Sequence, residues 1–296
     1  MGSAGVTVVG SANMDVVFTV ERIPRPGETV IAGSLNRYPG GKGLNQAVAA
    51  ARAGAATSFV GALGADGDGD QLRATMTAVE IDTEQVRTEL RETGQAFIVV
   101  DAAGENTIIV ASGANSTVTA LDERDRSVIA AGAVLLLQLE LPLSAVEEAA
   151  TAAREAGVAV VLNAAPAVPL DDRLLALADC LIVNEHEAEL LGGRQRLAAA
   201  VHRLVVTLGR RGSVLFEHGA ELTTVAAPAV QAVDSTGAGD TFCGAVAAAI
   251  AEGRGFAEAA AFGTAAAAIS VQRVGAVPSI PSRAEIDDAA AAWGLA

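Results

Sequence analysis

The strongest constraint on this chain is a glycine-rich turn running straight into an alanine-rich helix, Gln231 to Ile250, QAVDSTGAGDTFCGAVAAAI. Gly237 and Gly239 let the backbone turn with no Cβ in front of its N–H groups. A helix starting there adds its unpaired first-turn N–H groups and the positive end of its dipole. Gly237, Ala238 and Gly239 therefore outline a pocket for an anion. Asp240 is the anomaly, because a carboxylate would repel a phosphate that merely rested there. It makes sense if the phosphate is in transit and the carboxylate takes a proton from the attacking hydroxyl. On these residues alone, an ordinary acidic residue in a helix first turn fits equally well.

The rest of the chain supplies strands that could surround such a turn. Val6–Gly10 reads as a buried strand, with Asn13 and Asp15 just past its end, where open α/β sheets bind ligands. Val16–Val20 and Thr29–Leu35 flank the turn-forming Ile23-Pro24-Arg25-Pro26-Gly27 and predict strands projecting from the main body. Pro39 to Asn45 is a glycine-rich approach to a helix over Gln46–Ala53, and Lys42 and Asn45 there can hydrogen-bond a polyhydroxylated ligand. Thr57–Val60 predicts a strand and Gln71–Val79 a helix, with Gly61 to Gly69 as the connecting turn. That turn lacks the spaced ligands and final Glu of a calcium loop. Ala96–Asp101 and Asn106–Val110 predict a hairpin. From Val134 onward strands alternate with helices, through Val134–Leu139, Pro142–Ala156, Val158–Leu162, Leu174–Leu177, Cys180–Val183, a short helix near Glu187–Leu191, and Leu204–Leu208. Such alternation predicts a mostly parallel sheet with helices on both faces. Gln138 with Glu140, Asn163 and Asn184 stand at three of these strand ends, where they would share one cleft.

Charge and motif content exclude several functions. A net charge of −15 with no basic run argues against nucleic acid and anionic membrane as partners. The amino-terminal segment lacks a basic region and is broken by polar residues, so it does not read as a signal peptide. Cys180 and Cys243 lack CxxC spacing and suit buried thiols in a reducing cytoplasm. There is no GxxxxGK[ST], and Phe242 breaks a GxGxxG pattern, so neither a P-loop nor a dinucleotide fold is expected. His186-Glu187 opens like a zinc-protease motif, but Leu190 removes the second ligand, and His202 and His218 show no metal spacing. Thr207 to Gly212 is a tight turn that could admit a nucleotide. Asn184 and Glu187, three apart, could hold Mg²⁺ through water or could simply form a helix capping box.

Taken in order, GSANMD, RPGETV, PGGKGLNQAVAAARAGA, GENTIIVASGAN, QLELP, NEHEAE, TLGRRG and the late GAGD cover nearly the whole chain. Together they resemble the ribokinase family of sugar and nucleoside kinases, and within it the members that phosphorylate ribose. Gly61 to Gly69 with Asp66 matches the family's first signature and Asp234 to Gly244 its second. The resemblance implies one domain over residues 1–296, a ribokinase-like three-layer α/β sandwich. It would have a mostly parallel central sheet and a small β-strand lid at roughly residues 14–38 and 95–111. It implies transfer of phosphate from ATP to the 5-hydroxyl of D-ribose, with Asp240 as general base and the Gly237–Ala238–Gly239 amides stabilising the moving phosphoryl group. Asn13, Asp15, Gly41, Lys42, Asn45 and Glu140 would hold the sugar, with Ala96 and Ile98 packing over it. Thr207, Gly209, Gly212, Gly239, Asn184 and Thr264 would border ATP, and Asn184 and Glu187 would organise Mg²⁺. A monovalent cation, usually potassium, would lie among the side chains of Asp234 and Ser279 and the carbonyls of Thr236, Ser270, Arg273 and Gly275. A homodimer through the lid strands is implied as well.

Two features depart from the family pattern. Thr264 stands where relatives often carry Asn or His, which leaves the contacts to the base open. Only nineteen residues separate Glu187 from Thr207, so a helix there should be shortened or missing. The alternative acceptor is a nucleoside or another sugar, but the single Trp and single Tyr offer little for an aromatic base slot. A non-catalytic sugar-binding regulator would be expected to lack the Asp or the GAG turn, and both are present.

Overall fold

A computed structural model describes residues 5–295. The first four residues and Ala296 of the single domain expected over 1–296 lie outside the described residues. The main sheet is built from β1 (Gly5–Val9), β4 (Ala56–Gly64), β5 (Val86–Glu89), β8 (Val134–Leu137), β9 (Ala159–Asn163), β10 (Cys180–Asn184), β11 (Arg203–Thr207), β12 (Ser213–Glu217) and β13 (Ala220–Val225). A smaller sheet holds β2 (Asn13–Thr19), β3 (Ser34–Gly40), β6 (Gly94–Val100) and β7 (Asn106–Ala111). The helices are α1 (Lys42–Arg52), α2 (Gly67–Thr77), α3 (Glu123–Ala131), α4 (Leu143–Ala156), α5 (Asp172–Leu177), α6 (Glu185–Leu190), α7 (Arg194–Ala200), α8 (Ala238–Ala251), α9 (Phe256–Ser270) and α10 (Arg283–Trp293).

The nine-stranded sheet has the order β13-β12-β11-β10-β9-β8-β1-β4-β5, parallel from β11 through to β5 and antiparallel only at β12 and β13. Its inner strands are apolar on both sides because both faces are covered, whereas the edge strands β5 and β13 are more exposed. In β8, Val134 and Leu136 join the cluster packed by α1, α8, α9 and α10, whereas Leu135 and Leu137 join the one packed by α4, α5 and α7. A period of two thus divides one strand between two cores, giving the expected three layers. The chain leaves β1 toward β4 on one side and returns to β8 on the other, so the sheet reverses direction at β1. A crevice opens at the carboxyl ends of β1 and β8, between Ser11–Asn13 and Gln138–Glu140.

The second sheet has the order β3-β2-β6-β7 and forms the lid. Several expected boundaries shift. Thr29–Leu35 is not a strand as far as Gly33; β3 starts at Ser34, because β2 ends at Thr19 and residues beyond that register have no partner. The helix expected from Gln46 begins at Lys42, so Lys42 and Asn45 are helical residues and Gly40 closes β3. The turn expected over Gly61–Gly69 shrinks to Ala65–Asp66, because β4 continues to Gly64 and α2 starts at Gly67. The helix after Glu187 survives as the seven-residue α7. The helices α3, α9 and α10 and the strands β5 and β13 are not among the elements expected from the sequence.

Candidate active site

The carboxyl ends of the parallel strands and the amino ends of α1 and α8 meet on one side of the sheet. Gly41, at φ +89°, precedes α1, and a Cβ there would lie 2.7 Å from the Asn13 nitrogen; this draws the helix against the β1–β2 turn. Gly237, at φ +71°, caps α8 in the left-handed region. A Cβ at Gly244 would stand 2.4 Å from the Gln46 carbonyl oxygen and 2.5 Å from the Ala49 Cβ, so α1 and α8 pack backbone to backbone. That contact brings Asn45 and Gln46 of α1 up to Asp240 of α8.

Asp240 is buried and accepts from two amides, Asn45 Nδ2 at 3.0 Å on Oδ2 and Gln46 Nε2 at 2.9 Å on Oδ1. Glu140 Oε2 accepts from the Ser11 hydroxyl at 2.6 Å and the Lys42 backbone N–H at 3.1 Å. Asn115, past the end of β7, donates to Asn13 Oδ1 at 2.8 Å and exchanges hydrogen bonds with the Ala12 backbone. That leaves the Asn13 amide nitrogen for a ligand. The Asn45 Oδ1 is buried without a partner. In the lid, Asp15 is paired with Ala96 and Val17 with Ile98, so Ala96 and Ile98 lie beside the Asp15 face of β2.

Three carboxylates gathered around one lysine make the site electrostatically uneven. Burial, then the negative charges of Glu140 and Asp240, push the Asp15 carboxyl up to about 7, although Lys42 pulls it back. The Asp240 carboxylate holds Lys42 above its ordinary value despite the burial of the ammonium, and Glu140 adds to the effect. Cys243 lines the same region, and burial followed by the charge of Asp240 raises its thiol well above the ordinary value. Cys180 is pushed up to about 12, mainly by burial. Neither thiol supplies a nucleophile.

Two cavities meet at the start of α8. One, of about 150 Å³, is lined by Lys42, Asn163, Asn184, Glu187, Asp240 and Cys243 among others. The other, of about 700 Å³, is bordered by Gly209, Gly212, Pro228, Val230, Ala267, Ala268 and Val271 and is mostly apolar. Thr207 and Gly239 line both. A Cβ at Gly239 would meet nothing within 4 Å, so its backbone faces open space. Among the described residues the N–H groups of Gly237 and Gly239 have no carbonyl partner, whereas Ala238 donates to the Ser235 carbonyl at 3.2 Å. Thr264 borders the larger cavity, but its hydroxyl donates back to the Ala260 carbonyl at 2.8 Å and offers no free donor to a base.

Asn184 and Glu187 form a complete capping box on α6, each accepting from the other's backbone N–H at 2.8 Å. They also line the small cavity, and Glu187 keeps its other carboxylate oxygen outside the cap. Asp234 accepts from the N–H groups of Thr236 at 2.9 Å and Gly275 at 2.8 Å. These bonds outweigh burial and lower its carboxyl. Ser279 is fully buried and donates to the Ala276 carbonyl at 2.7 Å. The Ser270 carbonyl accepts from Arg273 N–H, while those of Arg273 and Gly275 accept nothing among the described residues. The expected cation ligands therefore fall on the loop before Gly237 and on the stretch from the last residue of α9 to Ser279.

Ser11, Gln46 and Asn115 did not stand out in the sequence. Their roles depend on partners such as Asp240, Glu140 and Asn13, each more than a hundred residues away. Among the described residues no group of three or more metal-ligating side chains is present, and no helix is long and apolar enough to cross a membrane.

Comparison with known proteins gives a consistent result. Residues 3–283 match the pfkB family of carbohydrate kinases. The chain is 43% identical to the ribokinase of Haemophilus influenzae, covering 95% of this chain and 96% of that one. It is 38% identical to the ribokinase of Staphylococcus aureus over 95% and 98% of the two chains. Among solved structures it is similar to Arabidopsis thaliana ribokinase complexed with ribose and ATP, with a TM-score of 0.90, 34% identity and coverage of 97% and 98%.

Proposed function

The chain belongs to the pfkB family of carbohydrate kinases, and on that premise we propose that it transfers the γ-phosphoryl group of ATP to the 5-hydroxyl of D-ribose. The observation that carries the reading is the junction of the two cavities at Gly239, with Asp240 on the polar side of it. The apolar cavity suits a nucleoside, and the polar groups gathered about Asp240 and Lys42, with Asn45 bonded to Asp240 and Glu140 to the Lys42 backbone, suit a sugar. A phosphate chain between them would cross the amino end of α8. The relatives named above are ribokinases of 34% to 43% identity over nearly the whole chain, which supports ribose as the acceptor.

In this reading Asp240 accepts the proton of the ribose 5-hydroxyl as its oxygen forms a bond to the γ-phosphorus. The bond from phosphorus to the β–γ bridging oxygen breaks, and ADP leaves. The free N–H groups of Gly237 and Gly239 and the helix dipole stabilise the charge on the transferring group, and closure of the lid would exclude water. Lys42 balances the surrounding carboxylates. Asn45 donates to Asp240 and offers its unpartnered Oδ1 to a sugar hydroxyl. The donor set near α6 fits Mg²⁺ held through water, since Glu187 lines the cavity and uses only one carboxylate oxygen in the cap. Bound Mg²⁺ would neutralise charge on the phosphate chain. The Asp234 and Ser279 loops fit a monovalent cation, with the unpaired carbonyls of Arg273 and Gly275 as hard oxygen ligands. We also assign the dimer contact to the lid strands, and residues 1–296 to a single domain.

The test is ADP release from MgATP with D-ribose, nucleosides and hexoses, each in potassium and in sodium. Turnover with ribose, raised by potassium, is the expected result. Turnover only with a nucleoside or a hexose would reject the sugar assignment and leave Asp240 in place. Ribose binding without any ADP release would reject the kinase.

A further inference from the structure

We propose that Gln46 is a positioning residue for the Asp240 carboxylate, held in one orientation by a chain of buried amides that ends at a backbone carbonyl. The proposal rests on the phosphoryl-transfer reading above. Gln46 is fully buried and its side-chain oxygen and nitrogen are both taken up by protein partners, so it offers nothing to a ligand. Its carboxamide is nevertheless the donor to Asp240 Oδ1, at 2.9 Å.

The orientation of each amide follows from the next. Asn163 Nδ2 donates to the Ile182 carbonyl at 3.1 Å, which turns Asn163 Oδ1 toward Gln46. Gln46 must therefore present its NH₂ group there, at 3.0 Å. The second hydrogen of that group is directed to Asp240, and Gln46 Oε1 is left to accept from Gln138 Nε2 at 2.7 Å. A flipped Gln46 would set its oxygen against both Asp240 and Asn163 Oδ1 and its NH₂ against Gln138 Nε2, losing three bonds among buried groups. Gln138 and Asn163, the polar groups at the ends of β8 and β9, thus find their use in steering Gln46.

The consequence for Asp240 is geometric. Asn45 holds one carboxylate oxygen and Gln46 the other, so rotation about the last side-chain bond is blocked from both sides. Both donors are neutral and leave the negative charge available for a proton. The remaining lone pairs keep a fixed direction toward the attacking hydroxyl, and near-attack geometry of this kind governs turnover more than binding.

The test compares steady-state kinetics, ribose binding by calorimetry and thermal melting for Gln46→Met, which keeps the volume and removes the donor. The expected result is a fall in kcat on the order of 10- to 100-fold with the ribose Kd little changed. Introduced into Asp240→Asn, the same substitution should lower the residual kcat no further, because Gln46 acts only through that carboxylate. A packing role would instead lower kcat by the same factor in both backgrounds, and that outcome overturns the proposal. So does full kcat in Gln46→Met. If Gln46→Met does not fold, Gln138→Met, which frees Gln46 Oε1, should give a smaller kcat loss that also vanishes in Asp240→Asn; an unchanged kcat in it overturns the proposal. Silence of the wild-type protein with ribose would strike the kinase reading itself, whereas an active wild type with an equally active Gln46→Met strikes only the role of Gln46.

Discussion

Asp240 carries the largest functional expectation at the scale of single residues. Asp240→Asn keeps the shape and a partner for Asn45 but removes the proton acceptor. Turnover should fall by about 10²–10⁴-fold while ribose affinity, read by calorimetry, stays close to wild type. Unreduced turnover would remove Asp240 from the mechanism. Asp15 gives a pH signature. Burial and the neighbouring carboxylates push its carboxyl from the ordinary 3.8 up to about 7, so the fold binds this proton more tightly than the unfolded chain does. The stability it contributes is complete below the unfolded value and is lost as pH rises through about 7. Ribose binding should run the other way. An ionised carboxylate accepts sugar hydroxyls more strongly than the neutral acid, so affinity should tighten up to about pH 7 and then level. Asp15→Asn should flatten that rise, and an identical rise in the variant would place the titration elsewhere.

At the scale of elements, the site depends on how closely helices approach. Gly244→Leu would drive a side chain into the Gln46 carbonyl and the Ala49 Cβ. Prying α1 from α8 should cost about 1–3 kcal/mol by denaturant titration and reduce kcat, because Asn45 and Gln46 move with α1. Asp66 ties α2 to the start of the lid. It caps Gly69 N–H at 2.8 Å and accepts from the backbone and hydroxyl of Thr93 at 2.8 and 2.6 Å. Asp66→Ala should lower stability by about 1–3 kcal/mol, and an unchanged melting curve would show those bonds to be dispensable. This residue also shows how a motif can be matched before its physics is visible. The Asp and Gly crowding of Gly61–Gly69 reads as a turn, yet most of it is strand and helix, with Asp66 as the helix cap. The β-branched run at Thr29–Ile31 reads as a strand, but no partner strand reaches it.

At the scale of the whole molecule, the lid leaves apolar side chains exposed. Leu35 of β3 and Ile108, Ile109 and Val110 of β7 are between 47% and 66% accessible, on the two edge strands of a four-stranded sheet. Unprotected edges of this kind invite pairing with a second copy. Sedimentation velocity should find a dimer, and Ile109→Asp should shift it toward monomer; a monomeric wild type would remove the lid contact. In the central sheet, the run of strand and helix patterns after Val134 was enough to predict three layers. The segment from Asp15 to Gly113 was harder, because lid strands pair with each other across the intervening α1, β4, α2 and β5.

Local chemistry by itself determined much of this protein. Glycines at turns, a carboxylate in a helix first turn, alternating apolar strands and polar residues at strand ends act over a few positions, so they can be read along the chain. The resemblance carried by the motifs then joined them into one site. Only the tertiary structure decided which group holds which. Gln46 meets Asp240 across 194 positions, Asn115 meets Asn13 across 102, and Thr264 turns its hydroxyl back to its own helix. A buried amide takes its direction from whatever donors and acceptors the packing sets beside it, and that information exists only once the helices and the sheet have closed on one another.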